Sequence, residues 1–314
     1  MPLLSRLREA LIPAPAAAIP GPVPRAPRRA DPPDGASNYV ILILDSCRFD
    51  SWVRAAPTRM SRLGPLEKRY SYATWTAPSH YNLLIGLLPH HSPPHVYASE
   101  YYKDDFLKFK DRFRIPDMSF GKMVPSLWLP TYLQDLGYRT NMLVSMPVLN
   151  PATPINRSFD RYELMERHND VTAMIRAMRW YVDRPNFFVI NTGETHYPYA
   201  TPDEPENHWP RISGVNGVFK HLDDHVRAGG LVHADEAPRF FDDARMAQLH
   251  ARQVDAVRWV DRAVEELFDT APANTWITIT ADHGELFGEG GYFGHGPVNH
   301  EKVIEVPFVE GRLR

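Results

Sequence analysis

Cysteine, long apolar runs and net charge are all scarce in this 314-residue sequence. The one cysteine, Cys47, excludes an internal disulfide and fits a reducing compartment. No run of about 18 apolar residues occurs, so we expect no transmembrane segment. The formal charge of −3 gives no reason to expect nucleic acid as a partner. What remains is the composition of an ordinary globular protein.

Proline, in contrast, is concentrated at the N-terminus, where nine of the 30 prolines lie before residue 34. Residues 11–23 superficially resemble the apolar part of a secretory signal, but four prolines within them would break its helix. We therefore predict a disordered arm over residues 1–37 and a folded domain over residues 38–314. Without a convincing signal or membrane span, we expect a cytoplasmic location.

Short apolar strands alternate with helical patterns along the folded part. Buried strands are predicted at residues 38–45, 139–144, 186–191, 276–280 and 306–309. Helical patterns separate most of them, and the longest covers residues 242–268. This alternation predicts an α/β fold with a mostly parallel central sheet and helices on both faces.

Polar residues follow these strands at the points where each one ends. Asp45 ends the first strand, Glu194 and His196 follow the third, and Asp282 with His283 follow the fourth. In open α/β sheets, the ligand crevice lies outside the carboxyl ends of the strands. The pattern therefore predicts that these residues meet in space, and that the carboxylates and an imidazole bind a divalent cation.

A hydroxyl completes this set at Thr76, just before a predicted helix in which Pro78 occupies the first turn. A cation bound to the Thr76 oxygen would lower its pKa and generate a nucleophile near neutral pH. His196 and His295 could then bind the oxygens of the transferred group or protonate the leaving group. Glycines surround His295 in residues 288–296 and allow close approach of a ligand.

Four segments resemble those of the alkaline phosphatase/sulfatase superfamily, in the same order. Residues 43–50 resemble its first metal-binding segment, and residues 76–90 its nucleophile segment. Residues 192–199 resemble the His-x-Pro segment, and residues 280–308 the last metal segment with its strand. The resemblance implies an alkaline phosphatase-like fold and a catalytic domain over residues 38–314.

The resemblance also implies a role for each matching residue. Asp45, Asp282 and His283 would hold the metal, and Thr76 would be both ligand and nucleophile. His196 and His295 would contact the transferred group. Five further residues are candidates for substrate contact: His80, Asn191, Glu194, Tyr197 and His300.

The nucleophile segment departs from that of sulfatases in a way that bears on the chemistry. Sulfatases carry Cys or Ser within Cys/Ser-x-Pro-x-Arg, whereas this sequence has Thr76 at that position and His80 in place of the Arg. Conversion to formylglycine is therefore excluded. A direct threonine nucleophile is typical of the phosphodiesterase, phosphoethanolamine transferase and lipoteichoic acid synthase branches. This favours a metal-dependent hydrolase or transferase of small phosphate-type esters, acting through a covalent Thr76 intermediate.

Several alternatives stay open. The same scaffold could hydrolyse sulfuric esters or phosphonates, or could be a non-catalytic binding module. One metal is favoured, and Mn²⁺, Zn²⁺ or Ca²⁺ would suit the ligands. We expect the pocket walls to come from residues 90–125 and 200–237. The sequence stops at Arg314, soon after the last strand, so we expect it to lack most of the usual C-terminal subdomain. A second subunit could cover the open edge, which predicts a homo-oligomer.

Overall fold

The computed structural model describes residues 30–92, 108–118, 127–210, 242–296 and 298–313. The N-terminal arm predicted over residues 1–37 therefore lies mostly outside the described residues. So do large parts of the two predicted pocket walls, namely residues 93–107, 119–125 and 211–237. None of the helices in the described ranges is long and apolar enough to cross a membrane.

A seven-stranded mixed sheet forms the centre of the fold, with most of its strands parallel. Its order across the sheet is β2 (Glu67–Tyr70), β9 (Glu305–Arg312), β6 (Thr275–Thr280), β1 (Asn38–Leu44), β5 (Asn186–Thr192), β3 (Arg139–Val144) and β4 (Arg161–Leu164). The five strands from β6 to β4 run parallel, whereas β9 and β2 are antiparallel to their neighbours. The predicted α/β fold is confirmed, although β2 and β4 were not predicted.

Helices cover both faces of this sheet. Successive residues of β1 point to opposite faces, and its side chains are apolar on both, so each face packs against helices. Tyr39, Ile41 and Ile43 belong to one apolar cluster, and Val40, Leu42 and Leu44 belong to the other. The first cluster includes residues of α2 (Thr76–Leu84), α3 (Phe109–Phe113) and α4 (Leu129–Asp135). The second includes residues of α1 (Phe49–Ala55), α5 (Val171–Ala177) and α6 (Asp243–Thr270). The remaining elements are α7 (Glu301–Ile304) and a small hairpin of β7 (Leu286–Phe287) and β8 (Phe293–Gly294).

The long helix α6 packs through an apolar stripe, as its sequence period predicts. Its N-cap, Asp242, accepts hydrogen bonds from the backbone N–H groups of Ala244 and Arg245. The stripe is fully buried and consists of Leu249, Val254, Val257, Val260, Val264 and Leu267. Burial of each such side chain contributes roughly 1.5–3 kcal/mol, so this helix is firmly anchored. Two polar residues, Gln253 and Asp261, are also buried on this helix.

Helix α2 includes Thr76, which the sequence placed just before the helix. It starts at Thr76, and Pro78 fits within the first turn, where no N–H is needed. It ends at Leu84, and Gly86 follows with a φ of 91°, which glycine adopts without strain. Thr76 is therefore the first helical residue, and not a loop residue before the helix.

Candidate metal centre and nucleophile

Three side chains suited to binding a metal lie at the carboxyl ends of two adjacent parallel strands. Asp45 directly follows β1, and Asp282 with His283 follows β6 after one intervening residue. All three residues are buried, and one ligand atom from each lies within 4.8 Å of the others. The structure thus brings together the three residues that the sequence predicts as metal ligands.

Asp45 is held as a carboxylate by its neighbours. The Asn191 amide donates a hydrogen bond of 2.9 Å to Asp45 Oδ2, and the Ser46 hydroxyl donates one of 3.1 Å to Oδ1. Burial alone would raise the pKa of Asp45. The imidazole of His196, together with the Asn191 amide, outweighs burial and holds this pKa below its usual value.

Asp282 has the opposite electrostatic character, because it is buried beside Asp45. Burial first, and then the negative charge of Asp45, raise the pKa of Asp282 well above its usual value. Its Oδ1 accepts hydrogen bonds from the backbone N–H groups of Ser46 and His283. Ser46 presents its N–H from a φ of 61°, a left-handed conformation that is uncommon for serine. Asp282 Oδ2 is buried with no hydrogen-bond partner among the described residues.

His283 is arranged as a neutral ligand. Its Nδ1 donates a hydrogen bond of 2.9 Å to the Gly284 carbonyl, which leaves the Nε2 lone pair free. That Nε2 atom lies 3.3 Å from Asp282 Oδ2. Burial first, and then the neighbouring His295, lower the pKa of His283 well below its usual value. A neutral imidazole with a fixed tautomer is the form that binds a cation.

The Thr76 hydroxyl lies against these ligands at the start of α2. Its Oγ1 is 3.3 Å from His283 Nε2 and 3.5 Å from Asp45 Oδ1. Only 4% of Thr76 is exposed, so its hydroxyl is largely shielded from water. The predicted fourth member of the group therefore joins the other three.

His196 and His295 form a second layer beside the ligands. The His295 ring lies 4.2 Å from the His283 ring and 5.3 Å from the His196 ring, measured between centroids. His196 Nδ1 donates to the Tyr197 carbonyl at 2.9 Å, which leaves Nε2 available for a second partner. His295 Nδ1 donates to Glu285 Oε1, also at 2.9 Å. Although burial lowers the pKa of His295, this carboxylate raises it above its usual value.

The five predicted substrate contacts divide into two groups. His80 donates from Nδ1 to the Thr76 carbonyl at 2.8 Å, and the Asn191 amide donates to Asp45. Both therefore hold residues of the site in place. Glu194 instead accepts from the Thr192 hydroxyl and, at 2.7 Å, from the Val171 N–H. Two others are engaged elsewhere: Tyr197 donates to the Pro210 carbonyl, and His300 caps α7 by accepting from the Lys302 N–H. Substrate contact by these residues stays a prediction.

Three residues that hold the site together were not predicted from the sequence. Glu285 accepts hydrogen bonds from both His295 and the Tyr199 hydroxyl, at 2.9 and 2.7 Å. Its position in the sequence, two residues after His283, could have identified it as a site residue. Gln253 and Ser46 carried no such signal, since their contacts depend on elements far apart in the chain.

The donor set fits a divalent cation. Two buried carboxylates face each other beside a neutral imidazole, and one carboxylate oxygen, Asp282 Oδ2, is left without a hydrogen bond. A cation would supply its missing partner and relieve the repulsion between the two charges. Oxygen ligands with one imidazole suit several divalent metals.

The fold defines a member of the alkaline phosphatase/sulfatase superfamily, and three of its buried side chains could hold a metal. The chain belongs to the sulfatase family, whose family model, described as Sulfatase, matches residues 37–309. The resemblance inferred from the four sequence segments is therefore confirmed. No curated protein matches the sequence.

Solved structures share the fold at low sequence identity. The C-terminal periplasmic domain of EcEptC from Escherichia coli, in complex with Zn, is 12% identical with a TM-score of 0.51, over 91% of this chain and 78% of that one. The phosphonate monoester hydrolase SpPMH from Silicibacter pomeroyi is 14% identical with a TM-score of 0.52, over 88% and 68%. The integral membrane protein EptA from Neisseria meningitidis, a lipooligosaccharide phosphoethanolamine transferase, is 14% identical with a TM-score of 0.50, over 91% and 49%. At such identities these likenesses concern the fold alone.

Proposed function

We propose that this protein is a metal-dependent hydrolase or transferase of phosphate-type esters that acts through a covalent intermediate on Thr76. One observation carries the proposal. Thr76 is the first residue of α2, and its Oγ1 lies within 3.5 Å of both His283 Nε2 and Asp45 Oδ1. A threonine that served only as a helix cap would not need two metal-type ligands beside its hydroxyl.

Asp45, Asp282, His283 and Thr76 would hold one divalent cation, for which Mn²⁺, Zn²⁺ and Ca²⁺ are the candidates. When bound, the cation lowers the cost of deprotonating the hydroxyl and offsets negative charge on the transferred group. The helix N-terminus at Thr76 adds N–H groups and a positive dipole end, which favour an anionic ester.

The protein's own residues divide the reaction between them. Thr76 Oγ1 attacks phosphorus, its proton passing to solvent, and the bond from phosphorus to the leaving oxygen breaks. His295, whose pKa is raised by Glu285, donates a proton to that leaving oxygen, while His196 binds a non-bridging oxygen. Water or an acceptor alcohol then displaces Thr76 from phosphorus and restores its hydroxyl.

Phosphorus is favoured over sulfur by the nucleophile. Thr76 cannot form the formylglycine on which sulfatases depend. Two proteins that share the fold act on phosphorus, as their names state: a phosphonate monoester hydrolase and a phosphoethanolamine transferase. A sulfuric-ester hydrolase and a phosphonate hydrolase are the alternatives that substrate preference will separate. The cytoplasmic location and the homo-oligomer stay predictions.

Turnover of matched aryl esters tests the proposal. Wild type, Thr76→Ala, Thr76→Ser and the control Thr270→Ala are compared on p-nitrophenyl phosphate, a phosphodiester, a phenylphosphonate and p-nitrophenyl sulfate, with bound metal quantified. Thr270 is an exposed residue at the end of α6, so its variant should behave as wild type. Loss of the nucleophile should lower kcat by at least about 1,000-fold, with Thr76→Ser partly active.

The outcomes separate the hypotheses. Cleavage of phosphorus esters that depends on Thr76, with about one metal per chain, supports the proposal. A preference for the sulfate ester would replace it with the sulfuric-ester alternative. If the purified protein binds no cation and cleaves no ester, the remaining hypothesis is the non-catalytic binding module.

A further inference from the structure

A buried amide outside the ligand set connects the loops on which the site is built. Gln253 lies on α6 and has no exposed surface. Its neighbours on the buried face of the helix, including Val254 and Val257, are apolar. An amide at such a position costs desolvation energy unless every polar atom finds a partner.

Gln253 uses its full hydrogen-bonding capacity. Its Nε2 donates to the carbonyls of Ser46 and Thr195, both at 2.9 Å. Its Oε1 accepts from the Ser51 hydroxyl at 2.6 Å and from the Arg48 N–H at 3.4 Å. Backbone carbonyls only accept and backbone N–H groups only donate, so these partners determine the orientation of the amide.

The two carbonyls that Gln253 binds belong to the residues next to site residues. Ser46 follows Asp45 at the end of β1, and Thr195 precedes His196 after β5. The Thr195 hydroxyl donates back to the Asp45 carbonyl at 2.7 Å, which closes the connection between the two loops. Because the anchor of both loops is the long helix α6, their separation is set by a rigid element.

We propose that Gln253 is a positioning residue. It fixes the position of Asp45 relative to His196 and thereby raises the affinity of the proposed site for its metal. It touches neither substrate nor ligand atoms and acts through the two loops. An apolar side chain of similar length would fill the same space, so packing alone does not account for the amide. Partners behind metal ligands typically change metal affinity by about 10–100-fold when they are removed.

Two variants of the full chain separate positioning from packing. Gln253→Met keeps the volume and removes all four hydrogen bonds. Gln253→Glu keeps the shape, but the oxygen that replaces Nε2 must be protonated to face the two carbonyls and can then donate to only one of them. The control is Val257→Ala, one turn along the same buried face, which opens a cavity but removes no hydrogen bond to either loop. Each protein is titrated with Zn²⁺ by calorimetry, and its stability without metal is measured by urea unfolding.

We expect both Gln253 variants to bind Zn²⁺ about 10–100-fold more weakly than wild type, with Val257→Ala unchanged in affinity despite its lower stability. If Gln253→Met does not fold, Gln253→Glu decides. Wild-type affinity in a folded Gln253 variant, or an equal loss in Val257→Ala, would overturn the inference.

This inference rests on the proposed metal site, and its failure is distinguishable from failure of that proposal. Zn²⁺ binding by wild type with no change in the Gln253 variants defeats the inference alone. Absence of Zn²⁺ binding by wild type defeats both.

Discussion

Asp282→Asn should stabilise the metal-free protein and remove its response to metal. The variant keeps the shape of the side chain, and its Oδ1 can still accept from the backbone N–H groups of Ser46 and His283. The new amide takes the place of Oδ2, which lies 3.3 Å from His283 Nε2, and can donate to that lone pair. What disappears is one of two buried negative charges, and with it a ligand of the cation.

The structure sets the size of the effect. The ligand oxygens of Asp45 and Asp282 lie within 4.8 Å of each other. At that distance and an effective dielectric constant of about 20, two full charges repel by about 3.5 kcal/mol. Proton uptake limits the penalty, because the pKa of Asp282 is raised. We therefore expect the variant to gain about 1–3 kcal/mol at neutral pH in EDTA.

Zn²⁺ should reverse this order. A cation present at about 1,000 times its Kd stabilises wild type by about 4.1 kcal/mol, and the variant much less. Urea unfolding followed by tryptophan fluorescence, in EDTA and in Zn²⁺, measures both differences. Asp269→Asn removes an exposed carboxylate and serves as the control, with little change expected in either condition. A variant that is less stable than wild type in EDTA, or equal stabilisation by Zn²⁺, would refute the reasoning.

Three further predictions concern groups outside the ligand set. Burial raises the pKa of Glu194 to about 7, so its ionisation should weaken the fold as pH rises from about 4.5 to 7. Glu194→Gln should accordingly gain up to about 3 kcal/mol over wild type between about pH 5 and pH 8, seen as diverging urea midpoints. Glu310 accepts hydrogen bonds of 2.8 and 3.1 Å from the buried Arg112. Burial alone would raise the pKa of Glu310, but the Arg112 guanidinium lowers it below its usual value. Glu310→Gln should lower the free energy of unfolding by about 3–5 kcal/mol, a difference that shrinks in acid as the wild-type carboxylate protonates. Cys47 is fully buried and burial raises its thiol pKa, so a thiol reagent should label it only as fast as the protein unfolds; rapid labelling of native protein would contradict this.

The central strands were predictable because they are apolar on both faces, and the edge strands were not. β1 runs Asn-Tyr-Val-Ile-Leu-Ile-Leu with six buried residues, a pattern that few other structures produce. β2 runs Glu-Lys-Arg-Tyr and β4 runs Arg-Tyr-Glu-Leu, and most of their residues are only partly buried. Strands at sheet edges lack the apolar signal because one side faces solvent or loops.

The site divides in the same way. Asp45, Thr76, Asp282 and His283 follow strands or begin a helix, so their local context pointed to them. The groups that position them depend on long-range contacts: Gln253 lies more than 200 residues from Ser46 in the chain. Nothing in the neighbourhood of Gln253 in the sequence distinguishes it from a residue on the solvated face of α6. Its role is visible only once the loops after β1 and β5 are placed beside the helix.

The proposed nucleophile and the three proposed strand-end ligands follow parts of the sheet that should differ in their resistance to local unfolding. Asp45, Asp282 and His283 follow β1 and β6, which lie inside the sheet with a partner on each side. Thr76 follows β2, a four-residue strand at the outer edge that pairs along its length with β9 and, at Tyr70, with His90. Short edge segments open at lower free energy than interior strands and exchange their amide hydrogens sooner. Under the proposed function, turnover should therefore be lost at a lower denaturant concentration than the bound cation.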